Sequence, residues 1–245
     1  MVTWSSAAVR AAMDLLLPRI CAVCDATIRD FSLVCGLCWA RCEPLPHPRC
    51  QRCGHPLTSE RCRYCPAFAP YVRAIRSWTW MHKGTGAAIV HALKYGGWWA
   101  VGGEMAERMA RLDWPPDVIT ERALVIPVPL ANPKRRERGY NQCAVIAARL
   151  AEVWRVPMHD DVLQRTRATR TQTRLTPGER LANVSGAFSV SSTARRLLKG
   201  AHVVLLDDVI TTGATLDACA RALLDAGCRI TSFVTFGRAP AAGDR

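Results

Sequence analysis

The run Val203-Val-Leu-Leu-Asp-Asp-Val-Ile-Thr-Thr-Gly-Ala-Thr-Leu216 puts two carboxylates, three hydroxyls and a glycine where an apolar strand gives way to a helix. In strand-turn-helix units ligands bind at the carboxyl ends of the strands. Thr211, Thr212 and Thr215 offer hydroxyls, and the backbone N–H groups from Thr211 through Ala214 to Thr215 lie at a helix N-terminus. That donor set suits a phosphate. Gly213 lets the backbone approach an anion without a clashing Cβ. Asp207 and Asp208 would repel that phosphate, so they suit the hydroxyls of the sugar carrying it, or a metal ion. The combination predicts a ribose 5-phosphate. A buried strand with an ordinary capped helix uses the same residue types singly; their conjunction argues for a ligand.

A second chemistry sits at the other end of the chain. Nine of the twelve cysteines fall between Cys21 and Cys65, and eight form Cys-x-x-Cys pairs: Cys21/Cys24, Cys35/Cys38, Cys50/Cys53 and Cys62/Cys65. Each pair presents two thiolates, and tetrahedral zinc needs two pairs. Spacing allows two successive ribbons, the first pair with the second and the third with the fourth. It allows a cross-braced arrangement equally well. Cys42 is left over. A disulfide framework needs an oxidising compartment, and Trp4–Leu17, with Arg10 and Asp14 among alanines and leucines, reads as a short amphipathic helix rather than a secretory leader. A redox Cys-x-x-Cys comes once, near a βαβ unit, not four times in succession. Structural zinc is the expectation, in a reducing, cytoplasmic setting.

The elements that must position these groups follow from pattern. The 245 residues suffice for one core of ordinary size plus a small module. No apolar stretch approaches the roughly 20 residues of a membrane span. The net charge of +13 is partly local: residues 134–180 hold eleven Lys/Arg against five Asp/Glu, and residues 19–76 nine Arg against four. Such patches attract phosphorylated ligands or polyanions. Pro66 and Pro70 mark a boundary, giving an N-terminal helix at 1–18, a zinc-ribbon module at 19–68 and an α/β domain at 69–240. Strands are expected near 71–80, 123–128, 185–190, 202–207 and 229–236. Helices are expected near 86–95, 98–111, 140–153 and 214–226. Between strand 123–128 and its helix, residues 132–139 read as a cationic loop suited to a pyrophosphate, and residues 164–183, with Gln172, Leu175 and Arg180, as a polar flap. Trp78, Trp80, Trp98 and Trp99 belong either to the core or to a surface that stacks bases.

The whole chain, from about residue 15 to 238, resembles the ComF family. The resemblance rests on the Cys-x-x-Cys array, His91-Ala-Leu-Lys94-Tyr95, Ile126-Pro-Val-Pro-Leu130, Arg138-Gly-Tyr-Asn-Gln142, Thr171-Gln-Thr-Arg-Leu175, Asn183-Val-Ser-Gly-Ala-Phe188 and Asp207 to Thr215. It implies a zinc-ribbon module followed by a type I phosphoribosyltransferase-like parallel sheet flanked by helices, and a link to DNA uptake in natural competence. It implies further that Asp207 and Asp208 hold the ribose hydroxyls and that Thr211, Thr212, Gly213, Ala214 and Thr215 cradle the 5-phosphate. Arg135, Arg138, Lys94 and the start of the 139–142 helix would face the pyrophosphate of phosphoribosyl pyrophosphate (PRPP), with Mg²⁺ bridging its oxygens. The expected partners are PRPP or a related phosphoribosyl ligand, single-stranded DNA and DNA-uptake proteins. No segment for gripping a purine or pyrimidine base is recognisable.

Overall fold

The computed structural model describes residues 18–82, 84–166, 186–241 and 244. The expected N-terminal helix, and Gln172, Leu175 and Arg180 of the expected flap, lie outside them. In chain order the elements are α1 (Gly36–Ala40), β1 (Val72–Trp80), α2 (Thr85–Tyr95), α3 (Val101–Ala110), α4 (Pro116–Glu121) and β2 (Arg122–Pro127). Then come α5 (Asn132–Arg138), α6 (Gln142–Trp154), β3 (Leu163–Arg165), β4 (Phe188–Val190), α7 (Arg195–Leu198), β5 (His202–Ile210), α8 (Ala214–Asp225) and β6 (Ile230–Arg238).

Four strands form one parallel sheet in the order β1-β6-β5-β2. The central strands are apolar almost throughout because helices cover both faces. Side chains alternate between the faces. Ala74, Val125, Val204, Leu206, Val234 and Phe236 share a core with residues of α2, α3 and α6. Ile75, Leu124, Ile126, Val203, Leu205 and Phe233 share the other with α8. β3 and β4 pair antiparallel, Leu163 opposite Val190 and Arg165 opposite Phe188.

Both sheet edges are covered, which blocks edge-to-edge association. At β2, Val125 N–H donates to Pro157 O (2.9 Å) and His159 N–H to Val125 O (3.1 Å). At β1 the cover is the cysteine-rich segment: Ile75 N–H donates to Arg52 O (2.7 Å) and Trp80 N–H to Glu43 O (2.9 Å).

One expectation is corrected. Residues 132–138 are a helix, not a loop. Pro133 pre-sets the backbone of the first turn, and Gly139, at φ 78°, ends the helix in the left-handed conformation. Charge composition concealed a seven-residue helix whose two ends are both well signalled.

Candidate functional site

The cysteines form two separate tetrads, Cys21/Cys24/Cys35/Cys38 and Cys50/Cys53/Cys62/Cys65, with the ligand atoms of each within 4.8 Å of one another. The structure thus selects successive ribbons over cross-bracing. Sulfur pairs stand 3.8 Å (Cys21–Cys38), 3.7 Å (Cys24–Cys35), 3.2 Å (Cys50–Cys65) and 3.4 Å (Cys53–Cys62) apart. Thiolates at about 2.3 Å around a tetrahedral zinc stand about 3.8 Å apart; the first tetrad matches that spacing, and the second holds the same four-sulfur arrangement somewhat more tightly. In each ribbon the first Cys-x-x-Cys closes by the same turn: Asp25 N–H donates to Cys21 O (3.0 Å), and Gly54 N–H to Cys50 O (2.9 Å). The leftover Cys42 is buried, its thiol donating to Cys38 O at 3.6 Å.

The other site is a cleft of about 450 Å³ at the carboxyl ends of β2 and β5. It is lined by Lys94, Arg138, Asp207, Asp208, Thr211, Gly213, Ala214 and Thr215 among the expected residues. Arg135 and Thr212 are not part of the lining. Arg135 points outward from α5, while Lys134 takes a place in the wall. The Thr212 hydroxyl accepts from Ala214 N–H at 3.4 Å.

The two carboxylates are not equivalent. Asp208 is nearly enclosed and doubly satisfied: Lys94 Nζ donates to Oδ1 at 2.8 Å and Gln142 Nε2 to Oδ2 at 2.7 Å. Burial depresses the Lys94 ammonium, but the Asp208 carboxylate more than offsets this and its pKa is raised. Asp207 has weaker company. Its Oδ1 accepts from the Cys143 thiol (3.4 Å) and from Asp208 N–H (2.8 Å). Lost solvation and the neighbouring Asp208 charge push its pKa to about 7. The same burial, with both carboxylates alongside, holds the Cys143 thiol well above its ordinary pKa, so it acts as a donor. A desolvated carboxylate in the cleft wall, short of positive charge, suits sugar hydroxyls or a cation brought by the ligand.

Several members of the site have no individual role assigned from sequence, Gln142 only as part of the 139–142 helix start. Gln142 links its two ends: Arg138 Nη1 donates to Gln142 Oε1 (2.9 Å) while Gln142 Nε2 holds Asp208. The signal was present, since Arg138 and Gln142 are four residues apart at the junction of α5 and α6. Arg138 also donates to Tyr95 OH (3.0 Å) and lies 4.8 Å over that ring. Arg165 of β3 completes the wall. The tryptophans are mostly structural. Trp78 stacks on Phe236 at 5.2 Å, Trp80 lies edge-on to His55, and Trp98 packs against the core. Trp99 is exposed.

Family models match two stretches, a double zinc ribbon domain at residues 12–69 and a phosphoribosyl transferase domain at residues 141–244. The chain is 34% identical over 103 residues to Competence protein F of Haemophilus influenzae, covering 42% of this chain and 44% of that protein. It is 28% identical over 218 residues to DNA utilization protein YhgH of Salmonella typhi, covering 85% of each. It is 32% identical over 104 residues to Competence protein ComFC of Bacillus subtilis, covering 42% and 39%. The matches thus span less than half of the Haemophilus and Bacillus relatives and most of the Salmonella one. Among solved structures, a glutamine PRPP amidotransferase from B. subtilis is similar over 56% of this chain and 26% of its own, with 20% identity and a TM-score of 0.38.

Proposed function

Because the chain belongs to the ComF/YhgH family, a double zinc ribbon joined to a phosphoribosyltransferase domain with relatives in competence and DNA utilization, we propose that its cleft binds PRPP with Mg²⁺ and transfers the phosphoribosyl group. The observation that supports this is the convergence of Asp207, Asp208 and the Thr211–Thr215 turn on one cleft at the strand ends. In this reading Asp207 and Asp208 accept from the ribose 2- and 3-hydroxyls, and the backbone of Thr211–Thr215 receives the 5-phosphate. Arg138, with Lys134 beside it and Arg135 outside, faces the pyrophosphate. Lys94 pairs with Asp208 and holds it in place. Mg²⁺ on the pyrophosphate would supply charge that relieves Asp207.

The reaction breaks the C1–O bond to pyrophosphate, whose oxygen keeps the electron pair, while an acceptor bonds to C1. The protein's part is positioning and stabilising charge on the leaving group. The acceptor is left open. Eight cysteines available as zinc thiolates suit a reducing compartment, so we place the protein in the cytoplasm. Calorimetric titration with PRPP and Mg²⁺ tests binding. Changing Asp207 and Asp208 together to Ala removes acceptors worth about 1.5–3 kcal/mol each. Unchanged binding, or none in the wild type, overturns the reading. Pyrophosphate release with a panel of bases and amines tests transfer.

A second reading, a non-catalytic module that binds PRPP and single-stranded DNA, draws on α5. Arg135 and Arg136 are exposed outside the cleft, beyond what a pyrophosphate needs. If Arg135, Arg136 and Arg138 all touch phosphates, their joint replacement by Ala lowers the log–log salt slope of oligonucleotide binding by about 2, at about 0.7 per phosphate. Fluorescence anisotropy over a salt series measures it, and an unchanged slope removes α5 from the DNA surface.

A further inference from the structure

The phosphate turn is gripped from the zinc side. Gly213 has φ 82°, and a Cβ there would lie 2.9 Å from Cε1 of Phe68. The ring edge of Phe68 is therefore seated on the Cα of the central glycine of the turn. Phe68 stands three residues beyond Cys65, at the end of a single 3₁₀ turn, and its N–H donates to Cys65 O at 3.1 Å. Arg52, inside the Cys50–Cys53 pair, fixes the same segment. Its guanidinium donates to Phe68 O (2.8 Å), Ala69 O (2.6 Å), Cys65 O (3.3 Å) and Val72 O (3.3 Å).

Two further ties run from the segment and its ribbon to the elements that flank this turn. Tyr71 OH donates to Asp217 Oδ1 at 2.6 Å, in the first turn of α8. Arg238 donates to Cys53 O at 2.6 Å, and the next residue, Ala239, donates its N–H to Ile210 O at 2.8 Å, where the phosphate turn begins.

We infer that the second ribbon is a working part of the phosphate site: cross-linking Cys50, Cys53, Cys62 and Cys65 through metal seats Phe68 on Gly213 and sets the shape the 211–215 turn presents to an anion. Phe68 is a positioning residue, acting through Gly213. Gly213 thus answers two demands, a left-handed φ and the approach of a ring. This rests on the PRPP reading for the identity of the anion, not for the coupling itself.

The test compares wild type with Phe68→Ala and Phe68→Tyr, with zinc content, amide hydrogen exchange and PRPP titration as readouts. Phe68→Ala keeps the metal of wild type, exchanges the 212–215 amides about tenfold faster because the turn opens locally, and binds PRPP about tenfold more weakly. Phe68→Tyr, which retains the ring edge, restores both. Unchanged exchange in Phe68→Ala with metal retained overturns the coupling. If Phe68→Ala does not fold, Phe68→Leu, which lacks the ring edge, is set against Phe68→Tyr by the same readouts. A wild type without PRPP affinity overturns the ligand reading alone, since exchange at 212–215 still decides the coupling.

Discussion

The two ribbons have the same motif and the same first turn, yet they are built into the protein differently. The first lies on one face of the sheet: Cys21, Val34, Cys38, Trp39 and Cys42 join the core formed with α2, α3 and α6. It is tied down by Glu104 of α3, whose carboxylate accepts from Leu33 N–H (2.5 Å) and Trp39 Nε1 (3.0 Å). The second lies against the sheet edge and joins the opposite core through Cys50 and Cys53. Arg76 and Arg238, both buried, donate to its backbone at Gln51 O (3.1 Å) and Cys53 O (2.6 Å). Buried guanidinium groups are costly unless compensated. Four thiolates around a divalent ion carry net negative charge, so a metal-loaded second tetrad adds counter-charge to that of Asp113 near Arg76 and Asp244 near Arg238. The fifth residue of each ribbon shows the same contrast. Asp25 (φ 58°) and Gly54 (φ 67°) occupy equivalent left-handed positions. A Cβ on Gly54 would lie 2.3 Å from Ile75 O of β1. One ribbon is attached through a carboxylate side chain; the other is held by two buried guanidinium groups and pressed backbone to backbone onto the sheet.

The largest expected effect tests the charge argument. Cys53→Ser, by disrupting the second metal site, strips Arg76 and Arg238 of the tetrad's share of their counter-charge, leaving Asp113 and Asp244, and costs on the order of 3 kcal/mol, as for one side of a buried charge pair. Cys24→Ser, at an exposed ligand of the first ribbon, costs clearly less. Thermal unfolding with zinc stoichiometry measures both, and the reverse order would break the contrast.

Comparable in size is the backbone effect. Gly54→Ala forces a methyl into β1 and should destabilise by on the order of 3 kcal/mol, as for overpacking. Asp25→Ala, left with only the left-handed φ to bear, should cost about 1 kcal/mol. Urea midpoints at constant m decide; equal losses would mean that Gly54 is not held against the strand.

Glu104→Gln probes the first ribbon's own attachment. It weakens charge-assisted bonds to Leu33 and Trp39, with an expected loss of about 1.5 kcal/mol. Trp39 fluorescence during unfolding should report earlier release of that ribbon, and no change would move the attachment to packing alone.

Apart from these stands a pH term from the cleft, spread over several pH units, that neither ribbon should alter. Asp207 has its pKa raised from 3.8 to about 7 in the folded protein. The folded state therefore holds this proton more tightly than the unfolded state. The stability it contributes is complete below the unfolded pKa and is lost as pH rises through about 7. The slope is at most one proton, about 1.4 kcal/mol per pH unit. Asp207→Asn should flatten the profile, and a wild-type slope that persists in this variant would place the titration elsewhere.

Much of this molecule was legible in its residues because the signals were local. Cys-x-x-Cys pairs, an apolar strand ending in Asp-Asp, and a Thr-Thr-Gly-x-Thr turn are each contained within a few residues. Each determines a chemistry, metal thiolate or anion cradle, before any packing is known. The periodicity of α2, α6 and α8 was likewise local. The helix at 132–138 was misread because its charge hid the Pro133 and Gly139 signals.

What tertiary structure decided was which groups meet. The spacing of four Cys pairs permits two pairings, and only the path of the chain over the two faces of the sheet makes them successive. Asp207 and Asp208 are adjacent in sequence and alike in chemistry. Lys94 and Gln142 reach one and Cys143 the other, so one carboxylate is satisfied and its neighbour holds a proton near neutral pH. Phe68 and Gly213 are far apart along the chain, and no local pattern marks either for the other. Residue type and spacing fix the functional groups available, while desolvation and pairing, which depend on distance through space, fix what each one does.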